Sequence, residues 1–306
     1  MYLDRREFVV LSALGFAGAL GNRSLFAQQA ASGAPAQPPT VPMFADVRRN
    51  VGVFTARGGT IGYLVTPDAV IVVDSQFADT APMFLDGLKP KTTRKIDLLI
   101  NSHHHPDHTG GNKVMQPNVG KIVAHVNVPG LQKKQAAAAK SEANQAYADT
   151  TFDKDWKASI GKETVSARYY GPAHTSGDIA ITFESANVVH LGDLMSFQRN
   201  PRADRPAGAS VPNWIPVLER VVKDHSNDTI YIFGHSKVGE RVTGSSKDLM
   251  DLRNYLTALV DYAKKQIAAG KSQEEILKTA AIPGFESYEG TPVALEAAYL
   301  ELSGKG

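Results

Sequence analysis

From Val51 onward the apolar residues recur at the short spacing of β-strands. Val51–Ala56, Thr60–Val65 and Val70–Asp74 read as three strands, with Gly58-Gly59 and Pro67-Asp68 as the turns between them. A short helix is predicted over Ala81–Leu88, and Pro90 ends it. Ile96–Ser102 is an almost unbroken apolar run, the pattern of a strand covered on both faces. Lys121–Val128 is a further strand candidate. Leu131–Ala148, rich in Ala, Lys and Gln, predicts a helix. Strands return at Thr164–Tyr170, Ile179–Glu184 and Val188–Leu191. Pro212–Val222 predicts a helix and Thr229–Phe233 another strand.

The C-terminal part is helical. Leu249, Leu252, Leu256, Leu259, Ala263 and Ile267 recur near every 3.6 residues and form one apolar face. Ser245 with Asp248 has the capping-box pattern, and Gly270 supplies the stop. Ser272 with Glu275 caps the next helix, and Thr291 and Pro292 open the last. Strands, helix, strands and helix again suggest an α/β fold, a sandwich of two sheets covered by helices.

The N-terminus has a different pattern. Asp4-Arg5-Arg6-Glu7-Phe8 leads into an apolar stretch from Phe8 to Leu20, broken by Gly15 and Gly18. This reads as a signal peptide. The stretch is too short for a bilayer, which takes about 20 residues, so stable membrane insertion is not expected. The Arg-Arg-x-Phe pattern resembles a twin-arginine export signal. It implies transient engagement with that export machinery and a periplasmic or secreted destination. Gln28–Pro42, rich in Ala, Gln and Pro, reads as a disordered linker. The expected division is a signal over residues 1–27, a linker over 28–42, and one domain over 43–306 whose helical extension starts at about 245.

Composition narrows the chemistry. The 306 residues are 42% hydrophobic, enough for one large core, and no internal repeat is visible. A net charge of +2 creates no field that would draw nucleic acid. The absence of Cys excludes disulfides, zinc-thiolate sites and cysteine nucleophiles.

The candidate chemistry is concentrated in Asn101-Ser102-His103-His104-His105-Pro106-Asp107-His108-Thr109-Gly110-Gly111, directly after the buried-strand pattern. Imidazole and carboxylate are natural zinc ligands where no thiolate is present. His103 and His105, two apart, face the same way in extended backbone. Asp107 and His108 follow the turn at Pro106 and can face a second ion. Three later features have the same character. His174 sits in a Gly-, Pro- and Ser-rich turn between two strands, and apolar strands end in Gly192-Asp193 and in Gly234-His235.

Together these motifs resemble the metallo-β-lactamase superfamily over about Val51 to His235. The His-x-His-x-Asp-His run, the Gly-x-x-His-Thr-x-Gly-Asp turn and the Gly-Asp and Gly-His strand ends occur in the family's order. The resemblance implies an αββα sandwich with two zinc ions at one edge between the sheets. It implies His103, His105 and His174 on one ion, Asp107, His108 and His235 on the other, and Asp193 bridging. Asp74 matches the family's early Asp, which supports the metal loop from behind. The commonest lactamase subclass carries Cys where Asp193 stands and Lys where Ser196 stands. A bridging Asp looks more like the glyoxalase II and lactonase branches.

The function implied is that of a dinuclear zinc-dependent hydrolase. Metal-bound hydroxide, oriented by Asp107, would attack the carbonyl of a small-molecule substrate. β-Lactamase-like amide or ester hydrolysis stands first, because export would place the enzyme where β-lactams act. A glyoxalase II-like thioesterase or a lactonase is the alternative. An iron-dependent, sulfur dioxygenase-like oxidoreductase is the alternative of another class, since the ligand types alone leave iron open. Leu131–Lys157 and Asn200–Pro212 are the expected pocket walls. His104, His125, His190 and His225 read as structural or surface residues, Tyr169 and Tyr170 as packing, and Asp178 as a turn residue. Thr109 and Thr175 read as holding their loops. Arg199, Arg202 and Arg205 belong either to a substrate-binding loop or to a solvated one. Oligomeric state is open.

Overall fold

The computed structural model describes residues 41–305. The expected export signal over 1–27 lies outside them, as does the linker expected over 28–42 save for its last two positions. No helix among the described residues is long and apolar enough to cross a membrane.

The first sheet runs in sequence order: β1 (Met43–Arg48), β2 (Val51–Thr55), β3 (Ile61–Val65), β4 (Val70–Val73), β5 (Ile96–Asn101), β6 (Val119–His125) and β7 (Thr150–Phe152). Neighbours from β1 to β4 are antiparallel; those from β4 to β7 are parallel. Later strands are β8 (Asp155–Ile160), β9 (Glu163–Tyr169), β10 (Ile179–Phe183), β11 (Val188–His190), β12 (Ser196–Phe197), β13 (Ile230–Ile232), β14 (His235–Ser236) and β15 (Thr243–Gly244). The second sheet has the order β15-β13-β11-β10-β9-β8, with β11 and β13 parallel, and β12 pairs with β14.

Strand alternation decides the layers. Ile71 and Val73 point inward, where they meet Ile179, Ile181 and Ile232 of the second sheet. Val70 and Val72 point outward onto Phe84 of α1 (Ala81–Leu88). β5 divides the same way from Leu98 onward, Leu98 and Ile100 inward and Leu99 outward. Its continuous apolar run is therefore used on both faces.

Two very short helices, α2 (Pro106–Thr109) and α3 (Asn112–Met115), carry the chain away from β5, and α4 (Val128–Ala138) follows β6. The outer face of the second sheet is covered by α5 (Val211–Asp224) and α6 (Ser246–Ala268). Trp214 and Leu218 of α5 and Leu252, Leu256 and Leu259 of α6 pack with Val189 and Tyr231. Burying each Leu contributes about 1.5–3 kcal/mol. Helix, sheet, sheet and helix are the αββα layers the sequence predicts, with α7 (Gln273–Leu277) and α8 (Ala294–Leu302) as the additional C-terminal helices.

The predicted caps are present. Asp248 accepts from the Ser245 N–H at 2.9 Å and pairs with Arg241 at 2.6 Å. Glu275 accepts from the Ser272 N–H at 2.8 Å, and Gly270, at φ 73°, follows the end of α6.

Two expectations need correction. The helix predicted over Leu131–Ala148 ends at Ala138. Lys140 turns left-handed at φ 52°, and the side chains of Asn112 and Gln132 take the Ala146 carbonyl at 3.1 and 3.2 Å. Tertiary hydrogen bonds there override the helix propensity of an Ala-rich run. Among the unforeseen strands, β1, β7 and β8 lie at sheet edges. Each is partly exposed, so none carries a strong apolar signal.

Candidate metal centre

Two parallel strand pairs, β4 with β5 and β11 with β13, send their carboxyl ends to one place. Asp74 follows β4, His103 and His105 follow β5, Asp193 follows β11, and His235 follows β13. The β9–β10 turn adds His174, and α2 adds Asp107 and His108. Strand carboxyl ends aim loops outward over the sheet edge, which makes them natural ligand platforms.

The side chains form two clusters. In the first, His103 Nε2 lies 3.1 Å from His105 Nδ1, and His174 Nε2 lies 2.9 Å from that same atom. The tautomers follow from the other ring nitrogens. His103 Nδ1 faces Ser102 Oγ at 3.0 Å, and that hydroxyl itself donates to Asp74 Oδ2 at 2.7 Å, so the His103 nitrogen is the donor. His105 Nε2 donates to Asp204 Oδ2 at 2.9 Å, and His174 Nδ1 donates to the Arg202 carbonyl at 2.8 Å. Each ring has used its proton facing outward. Three lone pairs therefore converge with no hydrogen between them, which is repulsive unless a cation sits there. Ligand atoms sharing a zinc stand on the order of 3 Å apart.

In the second cluster, His235 Nε2 is 3.1 Å from Asp107 Oδ2 and 3.4 Å from His108 Nε2. His108 Nδ1 is held by Asp74 Oδ2 at 2.7 Å. Asp193 stands between the clusters. Its Oδ1 is 3.1 Å from His108 Nε2 and 3.4 Å from His235 Nε2, while its Oδ2 is 3.4 Å from His174 Nε2. Although close to those nitrogens, Oδ1 is buried with no partner in hydrogen-bonding alignment. A buried carboxylate oxygen left in that state is costly, and a metal ion would satisfy it.

The electrostatics agree with this geometry. Burial pushes His103 well below the usual imidazole range, with nearby His108 adding to the effect, and burial also lowers His174. Burial opposes charge on His108 too, but Asp193, Asp74 and Asp107 hold it well above that range. His235 is raised to about 9 against burial by Asp193 and Asp107. Asp193 and Asp107 are held low, against burial, by His108 and His235. In the chain alone, protons on His108 and His235 balance the carboxylates. A divalent ion would take over that role, so the donor set fits one.

All seven sequence-predicted ligand residues meet here, and Asp74 stands behind two of them, His108 directly and His103 through Ser102. Asp204 was not foreseen. It fixes His105, and its carboxylate also caps the turn at residues 205–207. Its place in a Pro-rich loop gave no periodic signal; an acid just before Arg205-Pro206 as a turn cap was the one available cue. His104 is buried beside it, 3.8 Å from Asp204 Oδ2, and burial lowers its pKa to about 3. His190 is structural, facing the Thr60 carbonyl at 3.0 Å, and Asp178 holds its turn through the Thr175 N–H and hydroxyl. A cavity of about 200 Å³ opens over both clusters, walled by Gln135, Ser196, Arg199 and Arg202. Gln135 falls within the first expected wall and Arg202 within the second. A roomier groove of about 420 Å³ at Trp156, Arg168 and His225 lies apart from the clusters, and its Arg168 is already paired with Asp155 and Asp224.

Residues 55–235 match the family model of the metallo-beta-lactamase superfamily. The chain is 23% identical over 208 residues to a type 2 metallo-beta-lactamase of Elizabethkingia meningoseptica, covering 68% of this chain and 77% of that one. It is 27% identical over 210 residues to a probable hydroxyacylglutathione hydrolase of Schizosaccharomyces pombe, covering 67% and 73%. A metallo-beta-lactamase structure from Pontibacter korlensis superposes with a TM-score of 0.60 at 16% identity, over 71% of this chain and 99% of that one, a likeness of fold alone. With the family match spanning more than half of its length and the His/Asp groups placed for divalent metal, the chain belongs to the metallo-beta-lactamase superfamily as a metallo-hydrolase.

Proposed function

We propose that the protein is a dinuclear zinc hydrolase of carbonyl compounds, acting on an amide or ester of β-lactam type. The carrying observation is Asp193, with one carboxylate oxygen toward each cluster. His103, His105 and His174 would hold one ion, Asp107, His108 and His235 the other, with Asp193 between. When bound, such ions supply a Lewis acid and lower the pKa of water to roughly 7. The chain's own residues supply position. Asp204 fixes the His105 ring, the Arg202 carbonyl fixes His174, and Asp74 fixes His108 directly and His103 through Ser102. Asp107 lines the cavity over the clusters and, besides helping to hold the second ion, would orient the attacking water. No protein nucleophile is needed.

The type 2 lactamase relative supports the β-lactam reading. A thioesterase reading is supported by the hydroxyacylglutathione hydrolase relative and by the acid at position 193, where the commonest lactamases have Cys. The Arg-Arg-x-Phe signal supports export to the periplasm, which favours the first reading. The test is hydrolysis of a chromogenic cephalosporin by the zinc-loaded protein with and without chelator. Chelator-sensitive turnover at about 1–10³ s⁻¹ is the expected result. A protein that holds two zinc ions and turns over S-acyl glutathione but no cephalosporin would move the substrate to thioesters. Iron in place of zinc, with oxygen uptake and no hydrolysis, would overturn the hydrolase reading altogether.

A further inference from the structure

The loop that leaves β12 supports the first cluster through its backbone. The Arg202 carbonyl accepts from His174 Nδ1 at 2.8 Å, and the Asp204 N–H donates to the His174 carbonyl at 2.9 Å. Asp204 has a local support, because its carbonyl accepts from the Ala207 and Ala209 N–H groups, both at 3.0 Å. Arg202 has none: among the described residues its backbone bonds only His174. What holds the Arg202 carbonyl in place therefore lies elsewhere along the loop.

The anchor is Asn200, two residues earlier. Its Nδ2 donates to the Glu289 carbonyl at 3.2 Å and to the Gly290 carbonyl, and its Oδ1 accepts from the Tyr255 hydroxyl. Donors on one end and an acceptor on the other fix the orientation of the amide. The backbone is held as well. The Asn200 N–H donates to the Glu289 carbonyl at 3.0 Å, and the Glu289 N–H donates to the Gln198 carbonyl at 2.9 Å. Gln198 sits in the left-handed region at φ 50°, a conformation that persists where the surroundings impose it. Tyr255 belongs to α6 and is fully buried; its ring stacks on Tyr288 at 4.4 Å and meets Phe285 edge-on at 5.4 Å. Between Asn200 and Arg202 stands Pro201, buried and with its φ locked by its ring. One continuous chain of contacts thus runs from the segment after α7, through Tyr255 and Asn200, to the ring of His174.

We infer that Asn200 is a positioning residue for His174, acting through the Arg202 carbonyl, and that the segment after α7 which braces it belongs to the support of the metal centre. The inference rests on the metal-centre reading above for what His174 would hold. The hydrogen bond from His174 to Arg202 can be read without any ion. A ring nitrogen held from outside keeps one tautomer and one orientation, and losing such a partner costs metal affinity.

The test compares the full-length wild type with N200A, with Y255F, which keeps the aromatic stack and loses only the hydroxyl, and with L256A. The last removes packing one residue along α6 and none of these hydrogen bonds. Zinc affinities are read by chelator competition. The His174 Nδ1–H signal is read by nitrogen NMR of the metal-free protein and assigned by its absence in His174→Gln. In N200A one zinc affinity is expected to fall about 10–100-fold while the other is unchanged. Y255F shows a smaller loss at the same site. L256A lowers the melting temperature and leaves both affinities as they were. The His174 N–H signal is lost to solvent exchange in N200A and retained in L256A. Wild-type affinities with an intact His174 N–H in N200A overturn the inference. So does a loss at both sites that L256A reproduces, which reduces Asn200 to general stability. A wild type that binds no zinc counts against the metal reading, and the NMR signal then decides the positioning alone: lost in N200A and kept in L256A supports it, kept in both overturns it. Should N200A fail to fold, Y255F decides on the same two readouts.

Discussion

Asp74 leaves β4 in the left-handed region at φ 66°, fully buried, with one oxygen on the Ser102 N–H and the other on Ser102 Oγ and His108 Nδ1. Strained backbone of this kind costs about 1–3 kcal/mol and persists where the surroundings demand it. Here one carboxylate orients a ring in each cluster. Asp204 does the same for His105 alone, so Asp204→Asn is expected to weaken metal affinity about 10–100-fold, read by chelator competition. His105→Ala, which removes a converging nitrogen outright, abolishes hydrolysis while the circular dichroism spectrum stays close to that of the wild type. Full activity and normal zinc content in that variant would overturn the ligand assignment. Gly234 is constrained by closeness rather than by φ. A Cβ there collides with Asp193 Oδ1 and the Gly192 backbone. Gly234→Ala therefore displaces the carboxylate between the clusters, and the expected outcome is loss of metal with the helices still folded.

At the scale of elements, α6 illustrates what the pattern could and could not reveal. Its leucines at positions 249, 252, 256 and 259 follow the helical period, and all are fully buried against the second sheet. The Ser245–Asp248 cap was legible for the same reason: the signal is local. Leu256→Ala leaves a cavity and costs about 2–5 kcal/mol, measured by denaturant unfolding. Asp248 adds pH dependence. Burial raises its pKa, but Arg241 and the Ser245 N–H hold it below the usual carboxylate range. The charged form is therefore favoured by folding. Its contribution is complete above the unfolded value of about 3.9 and is lost as pH falls through the lower folded value. Asp248→Asn is expected to lower stability by about 1–2 kcal/mol at neutral pH and to narrow the gap to wild type in acid. The edge strands β7 and β8 and the early end of α4 were illegible because sheet edges and side-chain bonds to Ala146 are tertiary facts. Asp204 was hidden likewise, since nothing in its neighbours' periodicity says that it will meet His105, 99 residues earlier.

For the whole molecule, the two sheets meet with the carboxyl ends of β4 and β5 and of β11 and β13 at one edge, and the candidate ligands span His103 to His235. The order of the motifs was readable because each ligand ends a local element. The pairing of their oxygens and nitrogens was not readable, because it depends on sheet twist and register. Metal binding couples to this architecture. An ion at 100 times its dissociation constant stabilises the fold by about 2.7 kcal/mol per site, so chelation lowers the melting temperature.

The most direct measurement is metal stoichiometry by mass spectrometry, on the wild type and on Asp193→Ala after equal zinc loading. Two zinc ions per chain in the wild type, with one or none in the variant, is the result predicted by a carboxylate facing both clusters. Two ions in both proteins, or a single ion in a fully active wild type, would contradict the dinuclear centre.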